Sequence, residues 1–433
     1  MRWSALILGL ALPATVAAAQ TTAGPAASSS APTSLADDPV LRSLIVAAMQ
    51  RRPELAQARA QVEAEREREP QAGALPDPVV SLGIQNDGFT GIELGKMPMS
   101  WLSFGVAQTF PWPGKRSLRA DVAELGTRQV QAEAERTRLS IEGQLTLAYL
   151  DLLLVRDRAA LLDRLEALWA QSEALVRARY ESGAGAQSDL LRAQLERSRL
   201  RQRRTGLTAE ERQALTALNR LAGRDLDAPL ATTRSLGDLP DPELPDPQRA
   251  QADAEAHSPE LKKAQLGAVW AERNVELARK ERWPDLTVNA AVMPRWGQFG
   301  SMWQAGVSFG IPLWSGRKQT RGVAESEARV RGARSGSEVV RQELRQRVAE
   351  RAAALAAAIE TNRLYRSGLL VQAEATVGST LVQYQVGRAG FTSVLEALAS
   401  YYGDRDGFLQ SAATAQRLAI AEREIRLDRM DRP

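Results

Sequence analysis

The chain has 433 residues, with 56 Lys and Arg against 52 Asp and Glu and a formal net charge of +4. Because the charges nearly balance and no basic run dominates any segment, the composition argues against nucleic acid as a partner. The chain contains no cysteine, which excludes disulfide bonds and also the lipid anchor that a lipoprotein carries on a cysteine.

The N-terminus has the features of an export signal. Residues 1–19, MRWSALILGLALPATVAAA, combine a charged start, an apolar core and an Ala-x-Ala end, which predicts a secretory signal peptide. The alternative, a membrane anchor, needs about 20 apolar residues. Residues 20–40 are rich in Ala, Ser, Thr and Pro and predict a flexible leader. No later segment is apolar enough for a transmembrane helix, so an exported chain is either soluble or embedded through β-structure.

The rest of the chain contains an internal duplication. Three landmarks recur at offsets of 206, 202 and 204 residues: RPEL and SPEL, PWPGKR and PLWSGRK, and YESGAGAQSDLLRAQ and YQVGRAGFTSVLEAL. Chance would have to place all three at nearly one spacing, so we interpret the pattern as a tandem repeat. We predict two structural repeats, 41–224 and 248–433, joined by a Pro-rich linker at 225–247.

Each predicted repeat has the order helix, two strands, very long helix, Gly-containing turn and long helix. The opening helices are expected over 41–69, ended by Pro70, and over 248–282, ended by Pro284. Four segments then alternate apolar residues with small or polar uncharged ones, a period of two that predicts strands. The apolar positions are Val80, Leu82 and Ile84; Leu102, Phe104, Val106 and Phe110; Leu286, Val288, Ala290 and Val292; and Trp303, Ala305, Val307, Phe309 and Ile311.

A soluble sandwich would alternate in the same way, but two features favour a membrane. The strands are expected to approach the roughly 9–11 residues that a tilted transmembrane strand needs. Aromatic residues also cluster at the strand ends, as in the girdles of membrane barrels. They are Trp101, Phe110, Trp112, Trp283, Trp296, Trp303 and Trp314.

Four strands cannot close a barrel, because the smallest transmembrane barrels have about eight and an open edge in lipid leaves amide groups without partners. The barrel must therefore be shared between copies of the chain. From Lys115 to Tyr180 there is no proline, and the apolar seam steps by four and three residues, as in a coiled coil. A helix of that length spans roughly 100 Å. We expect it to stand out from the barrel as a column.

The far end of each column carries a Tyr-x-x-Gly turn. Gly183 and Gly387 are expected to supply the left-handed conformation of a helix reversal. Ser188 and Thr392 are expected to cap the returning helices. If several copies ring a channel, these tips meet on its axis.

The sequence offers no enzyme site. With no cysteine and one histidine, His257, a dedicated transition-metal site or cofactor is not expected. PGKRS imitates the end of a phosphate-binding loop but lacks the upstream glycine.

Over residues 41–426 the chain resembles the TolC-type outer membrane efflux proteins. The resemblance rests on the two halves, the strand-to-helix junctions and the paired tips, YxxG…LLxA and YxxG…VLEA. It implies a fold that is mainly α with a β-barrel part: a homotrimer whose copies each give four strands to a 12-stranded outer membrane barrel, continued by a helical tunnel in the periplasm of a Gram-negative bacterium. It also implies a periplasmic adaptor, or membrane fusion protein, and an inner-membrane pump as partners.

The segments ALPDPVVSLGIQN and QTFPWPGKRSLRADVAE look more like the heavy-metal branch, served by RND-type pumps, than the multidrug branch. Two alternatives stay open. The first is the exit channel of a multidrug or type I protein secretion system. The second, from another class, is a soluble periplasmic coiled-coil adaptor.

The resemblance also implies a periplasmic gate at the tips. Asp189 and Tyr384 match a closing pair of the family, whereas the family's arginine is replaced by Ala389, with Arg388 one residue early. A family ring of acids that narrows the pore corresponds here to Ser393 and Glu396. Only one acid per copy remains, and three copies of Glu396 would still favour cations.

Overall fold

The computed structural model describes residues 34–426, within which helices dominate and four strands form one sheet. The predicted signal peptide, residues 1–19, lies outside the described residues, as does most of the leader. The helices are α1 Pro39–Arg51, α2 Pro53–Gly73, α3 Lys115–Glu181, α4 Gln187–Ala222, α5 Pro247–His257, α6 Pro259–Lys280, α7 Gln319–Leu364, α8 Leu370–Gln385 and α9 Phe391–Arg426. The strands are β1 Val79–Gln85, β2 Trp101–Phe110, β3 Leu286–Met293 and β4 Met302–Phe309.

The two halves of the chain repeat the same order of elements, as the duplication predicts. Two short helices, two strands and two long helical segments occur first as α1–α2–β1–β2–α3–α4 and then as α5–α6–β3–β4–α7–α8–α9. The segment between the halves is packed rather than loose, because a short 3-10 turn, Leu236–Asp238, buries Leu236 and Leu239.

The long helix α3 is the axis of the fold. Its 67 residues confirm the uninterrupted helix predicted from Lys115 onward. The α2 and α6 helices pack along its part nearest the sheet, and α4 and α9 pack along the rest. Residues of its predicted seam are fully buried, including Leu145 and Leu152, and they lie in one continuous core with the side chains of α1, α4, α8 and α9.

Prolines divide the opening helices where the sequence predicted continuous ones. Arg52 and Ser258 are both extended, since a residue that precedes proline is driven out of the helical region, and Pro53 and Pro259 each begin a new helix. Pro70 does not end α2, which continues to Gly73. The Arg116 side chain donates a hydrogen bond of 2.8 Å to the Gly73 carbonyl. This bond gives a partner to a carbonyl in the last turn of α2, beyond Pro70.

The second long helix is also interrupted. Between α7 and α8 the chain makes a π-helical turn, Tyr365–Leu369, within the long helical segment predicted for the second half. A ring contact of 6.2 Å joins Tyr365 to Phe408 of α9. Arg366 also lies over the Phe408 ring at 5.2 Å and pairs with Asp241. A π-helical turn contains one more residue than an α-helical turn. The contacts with α9 and with the segment between the repeats therefore stabilise this wider turn.

The end of the predicted leader is ordered. Leu35 is 3% exposed and Asp38 is fully buried, so residues 34–40 are not the flexible segment that their composition predicted. Asp38 accepts a hydrogen bond from the Val40 amide and another, of 2.8 Å, from the Tyr149 hydroxyl of α3. Capping α1 and pairing with a buried phenol fix this carboxylate in place.

The strands form an antiparallel sheet in the order β1–β2–β3–β4. Apolar positions lie opposite apolar positions in all three strand pairs, for example Leu82 opposite Phe104 and Val288 opposite Val307, except that Gln108 of β2 lies opposite Val288 of β3. The predicted alternation is therefore confirmed. The strands have 7, 10, 8 and 8 residues, and β4 ends before Ile311, so three of them are shorter than predicted. None of the described helices combines the length and apolarity needed to cross a bilayer.

Candidate functional sites at the helix tips and the strand-to-helix junction

The two tip turns adopt the same backbone structure. Gly183 and Gly387 have φ angles of 76° and 79°, in the left-handed region that favours glycine. Each glycine amide bonds back to the carbonyl of the tyrosine three residues earlier, Tyr180 or Tyr384, at 3.0 and 3.1 Å. The predicted conformation of both turns is confirmed.

The predicted N-caps are each wrong by two residues. The α4 helix begins at Gln187 with Ala186 as its N-cap, and no side chain caps it, so Ser188 already lies inside the first turn. The α9 helix begins at Phe391, which places Thr392 inside it as well. The turns are too short to leave these two residues outside their helices.

The two tips differ in their tyrosines. Tyr384 is 3% exposed, whereas its counterpart Tyr180 is 42% exposed. The Tyr384 ring lies 5.7 Å from Phe391, and the Arg179 guanidinium stacks 4.8 Å from its centroid. Arg179 also donates a 2.6 Å hydrogen bond to the Tyr384 carbonyl. This arginine, in the last turn of α3, therefore ties the first tip to the second within one copy.

Electrostatics connects Asp189 to the same tyrosine. Burial raises the pKa of the Tyr384 phenol above its ordinary value; Arg179 opposes that shift and Asp189 adds to it. Asp189 is half-buried in the first turn of α4. Among residues 34–426, no hydrogen bond or ion pair joins Asp189 to Tyr384 or Arg388.

The remaining tip residues point to solvent in a single copy. Arg388, Ser393 and Glu396 are exposed. Ser393 and Glu396 lie one helical turn apart on α9, so they share a face, while Val394 and Leu398 of that helix are buried. The face that carries Glu396 is thus free to meet another molecule.

The junction after β2 is clasped to the second half of the chain. Lys115 begins α3 and is only 2% exposed. Its ammonium donates to Asp285 Oδ1 at 2.8 Å, to the Trp283 carbonyl at 2.8 Å and to Glu281 Oε2 at 3.3 Å. The Trp112 ring stacks on the Trp283 ring at 4.9 Å with an interplanar angle of 11°.

A second bond holds the same carboxylate. The Trp112 backbone N–H donates to Asp285 Oδ1 at 2.9 Å. Burial would raise the pKa of Asp285, but the bonds from Lys115 and from the Trp112 amide outweigh burial and hold it below its ordinary value. Lys115 is the lysine of PGKRS, the motif that imitates the end of a phosphate-binding loop. In the structure its ammonium is bound instead to Asp285 of the same chain.

Only part of these contacts could be predicted from the sequence. Lys115 lies in a duplicated motif, but its partner Asp285 is 170 residues away and carries no motif of its own. Arg179 precedes the duplicated tyrosine, yet its counterpart in the second half is Gln383, so the repeat itself concealed it. Within the described part of the chain, no group of three His, Cys, Asp or Glu side chains could hold a metal ion.

The fold is similar to that of several solved outer membrane channels. VceC of Vibrio cholerae has 18% identity and a TM-score of 0.74, covering 92% of this chain and 99% of its own. CusC has 17% identity and a TM-score of 0.77, covering 90% and 93%. The open-state channel MtrE of Neisseria gonorrhoeae has 18% identity and a TM-score of 0.74, covering 90% and 89%.

No curated protein matched the chain. The family model described as outer membrane efflux protein matches residues 44–224 and 251–428, one match in each half of the duplication. The matched proteins are channels and not enzymes. Since the two matches cover most of the sequence, the chain belongs to the outer membrane efflux protein family.

Proposed function

We propose that this chain is the passive exit duct of a tripartite efflux system, located in the outer membrane of a Gram-negative bacterium with its helices in the periplasm. Three copies complete one 12-stranded barrel and one helical tunnel. A periplasmic adaptor and an inner-membrane pump supply the substrate and the energy.

One observation supports this proposal above all others: an open, four-stranded sheet with an exposed apolar face stands on a helical column. Leu82 and Trp303 of that face are 74% and 78% exposed. In water so large an apolar surface is unfavourable, at roughly 25 cal/mol per Å². In lipid the apolar face is stable, but only if the strand edges are paired.

The two edge strands of the sheet indicate how neighbouring copies would pair. In the described sheet β1 and β4 each lack a partner strand on their outer side. Because β1 and β4 run in opposite directions, β4 of one copy can pair with β1 of the next to give an antiparallel wall. Repeating this step around a threefold axis removes every open edge.

The test is biochemical. The full-length protein should be extracted from outer membranes only with detergent. An adaptor, the alternative from another class, would be released without detergent. A monomeric, water-soluble product would overturn the proposal.

The gate proposal concerns the tips. We place the periplasmic constriction at Asp189, Tyr384 and Arg388, with Gly183 and Gly387 setting the turns and the faces of Ser393 and Glu396 lining the pore. Asp189 acts electrostatically on Tyr384 within one copy, and Arg388 is exposed. The Asp189→Ala, Arg388→Ala double variant should raise single-channel conductance in planar bilayers. Unchanged conductance would place the constriction elsewhere.

We further propose heavy-metal cations as the transported substrate. The strand and junction sequences that resemble the heavy-metal branch support this assignment, as does one acidic residue per copy at the tip, Glu396. Expression with a cognate pump and adaptor in an efflux-deficient host should raise resistance to zinc, cobalt or copper. Resistance to organic drugs or export of a protein instead would favour the multidrug or type I alternative.

A further inference from the structure

We infer that Arg317 of one copy binds Asp77 of the neighbouring copy, in a junction between chains that repeats the Lys115–Asp285 clasp within the chain. The inference rests on the proposed ring of copies and adds to it a specific ion pair. It follows from the internal duplication. The first junction, in which Lys115 binds Asp285, is closed within the chain. We call its counterpart in the repeat, formed by Arg317 and Asp77, the open junction.

The two hairpins of the sheet have the same register. In the first, Val80 lies opposite Val106; in the second, Val288 lies opposite Val307. Aligning Asp77 with Asp285, each of which follows a proline, carries β1 onto β3 by a shift of 208 residues. Aligning Pro111 with Pro312 carries β2 onto β4 by a shift of 201 residues, and the two shifts together reproduce the observed pairs. The pairing of β2 with β3 then provides a template for the pairing of β4 with the neighbour's β1.

The template fixes a register between copies. Within the chain, Phe110 lies opposite Leu286 and Val106 opposite Ala290. The same shifts place Val307 of one copy opposite Leu82 of the next, and Phe309 opposite Val80. Both positions of each pair lie on the apolar face of the sheet, so this register keeps that face continuous around the wall.

The turns that follow β2 and β4 are also equivalent. PWPGK and LWSGR share a tryptophan, a glycine and a terminal cation. The Lys115 amide donates to the Trp112 carbonyl at 3.0 Å, and the Arg317 amide donates to the Trp314 carbonyl at 3.0 Å. The second turn contains one extra residue, Leu313, just before its tryptophan.

The acidic partner has an equivalent as well. Asp285 follows Pro284 immediately before β3, and Asp77 follows Pro76 shortly before β1. Asp285 is bound by Lys115, whereas Asp77 is exposed. Within residues 34–426, neither the Asp77 carboxylate nor the Arg317 guanidinium has a hydrogen-bond or ion-pair partner.

The tryptophans show the same contrast. Trp112, stacked on Trp283, is 36% exposed, whereas Trp314 is 74% exposed. Leu75 occupies the position of Trp283 in the first half and is 40% exposed. A second copy would thus offer the open junction an apolar surface for Trp314 and a carboxylate for Arg317, and the charges are complementary.

The experiment uses the absence of cysteine in the chain. First, the Leu82→Cys, Val307→Cys double variant is oxidised in the outer membrane. Directly opposed strand residues lie close enough for a disulfide, so we expect a crosslinked ladder ending at three chains. Each single cysteine variant is the control and should give no ladder.

Second, the dissociation rate of the detergent-purified trimer is compared among charge variants. Asp77→Arg or Arg317→Asp alone should raise the rate about fivefold, and the charge-swapped double variant should restore it. Arg317→Lys, which introduces the residue type of the closed junction, should dissociate like the native trimer.

The outcomes separate the two proposals. A native protein that is monomeric, together with a double-cysteine variant that never crosslinks, overturns the proposed ring and this inference with it. A stable trimer in which neither charge reversal alters the dissociation rate, or in which the swap fails to restore it, overturns the clasp alone. Crosslinking at Leu82 and Val307 together with restoration by the swap supports both.

Discussion

Arg179 holds Tyr384 in two ways, by stacking 4.8 Å from its ring and by donating a 2.6 Å hydrogen bond to its carbonyl. One residue at the end of α3 therefore positions the turn that follows α8. Because the proposed gate is built from both turns, this contact couples their positions.

Replacing Arg179 should loosen the tip. We expect Arg179→Ala to raise single-channel conductance about twofold, because the second turn loses its tie to α3 and can move outward. Tyr180→Phe is the matched control, since Tyr180 is exposed and its hydroxyl makes no described contact. Equal conductance for Arg179→Ala and the native channel would show that the tie does not control the constriction.

Glu396 should set the ion preference of the tip. We expect Glu396→Gln to lower the cation-to-anion permeability ratio about twofold, because three carboxylates would be removed from the axis. Ser393→Asp, one helical turn away, should shift the ratio in the opposite direction. Reversal potentials in a salt gradient measure both effects. A ratio that neither variant changes would remove this face from the pore lining.

Lys115 should be important for stability. We expect Lys115→Ala to destabilise the protein by about 2 kcal/mol, because Asp285 and Glu281 would lose their shared cation beside stacked tryptophans. Lys115→Arg keeps the charge and should lose less. Urea unfolding followed by circular dichroism compares them, and an alanine variant as stable as the native protein would contradict the role of the clasp.

A second ion pair predicts an acid-sensitive contribution to stability. Arg158 Nε lies 2.6 Å from Asp406 Oδ1. Burial would raise the pKa of Asp406, but the bonded Arg158 outweighs burial and holds it below its ordinary value. A lowered carboxyl pKa stabilises the fold above the unfolded value, about 3.9, and that stabilisation is lost as the pH falls through the folded value.

The Asp406→Asn variant checks this sign. At pH 7 we expect it to unfold with about 1–2 kcal/mol less free energy than the native protein, and the difference should shrink as the pH falls below about 4. Denaturant titrations at several pH values give the comparison. A difference that stays constant or grows on acidification would contradict the assignment.

Regular patterns made much of the fold predictable. The period of two in Val80, Leu82 and Ile84 identified a strand, and the proline-free run from Lys115 identified the long helix, since both follow from local backbone physics. Gly183 and Gly387 were predictable because few other residues adopt a positive φ. Because the two halves repeat, an element predicted in one half could also be predicted at the equivalent position of the other.

Differences between the halves were not predictable, because they depend on contacts far apart in sequence. Tyr180 and Tyr384 occupy the same place in the repeat, yet only Tyr384 is covered by Arg179, which lies 205 residues away in sequence. The π-helical turn at Tyr365 depends on packing against Phe408. The prediction that Pro70 ends α2 was wrong, because it considered the proline alone. A hydrogen bond from Arg116 to the Gly73 carbonyl supports the last turn of the helix.

The most direct test of the account is the mass of the detergent-purified protein by light scattering, corrected for bound detergent. The account predicts a particle of three chains, because the proposed barrel has twelve strands and one copy provides four of them, with two unpaired edges. A stable particle of a single chain that remains dispersed after the detergent is removed would contradict it.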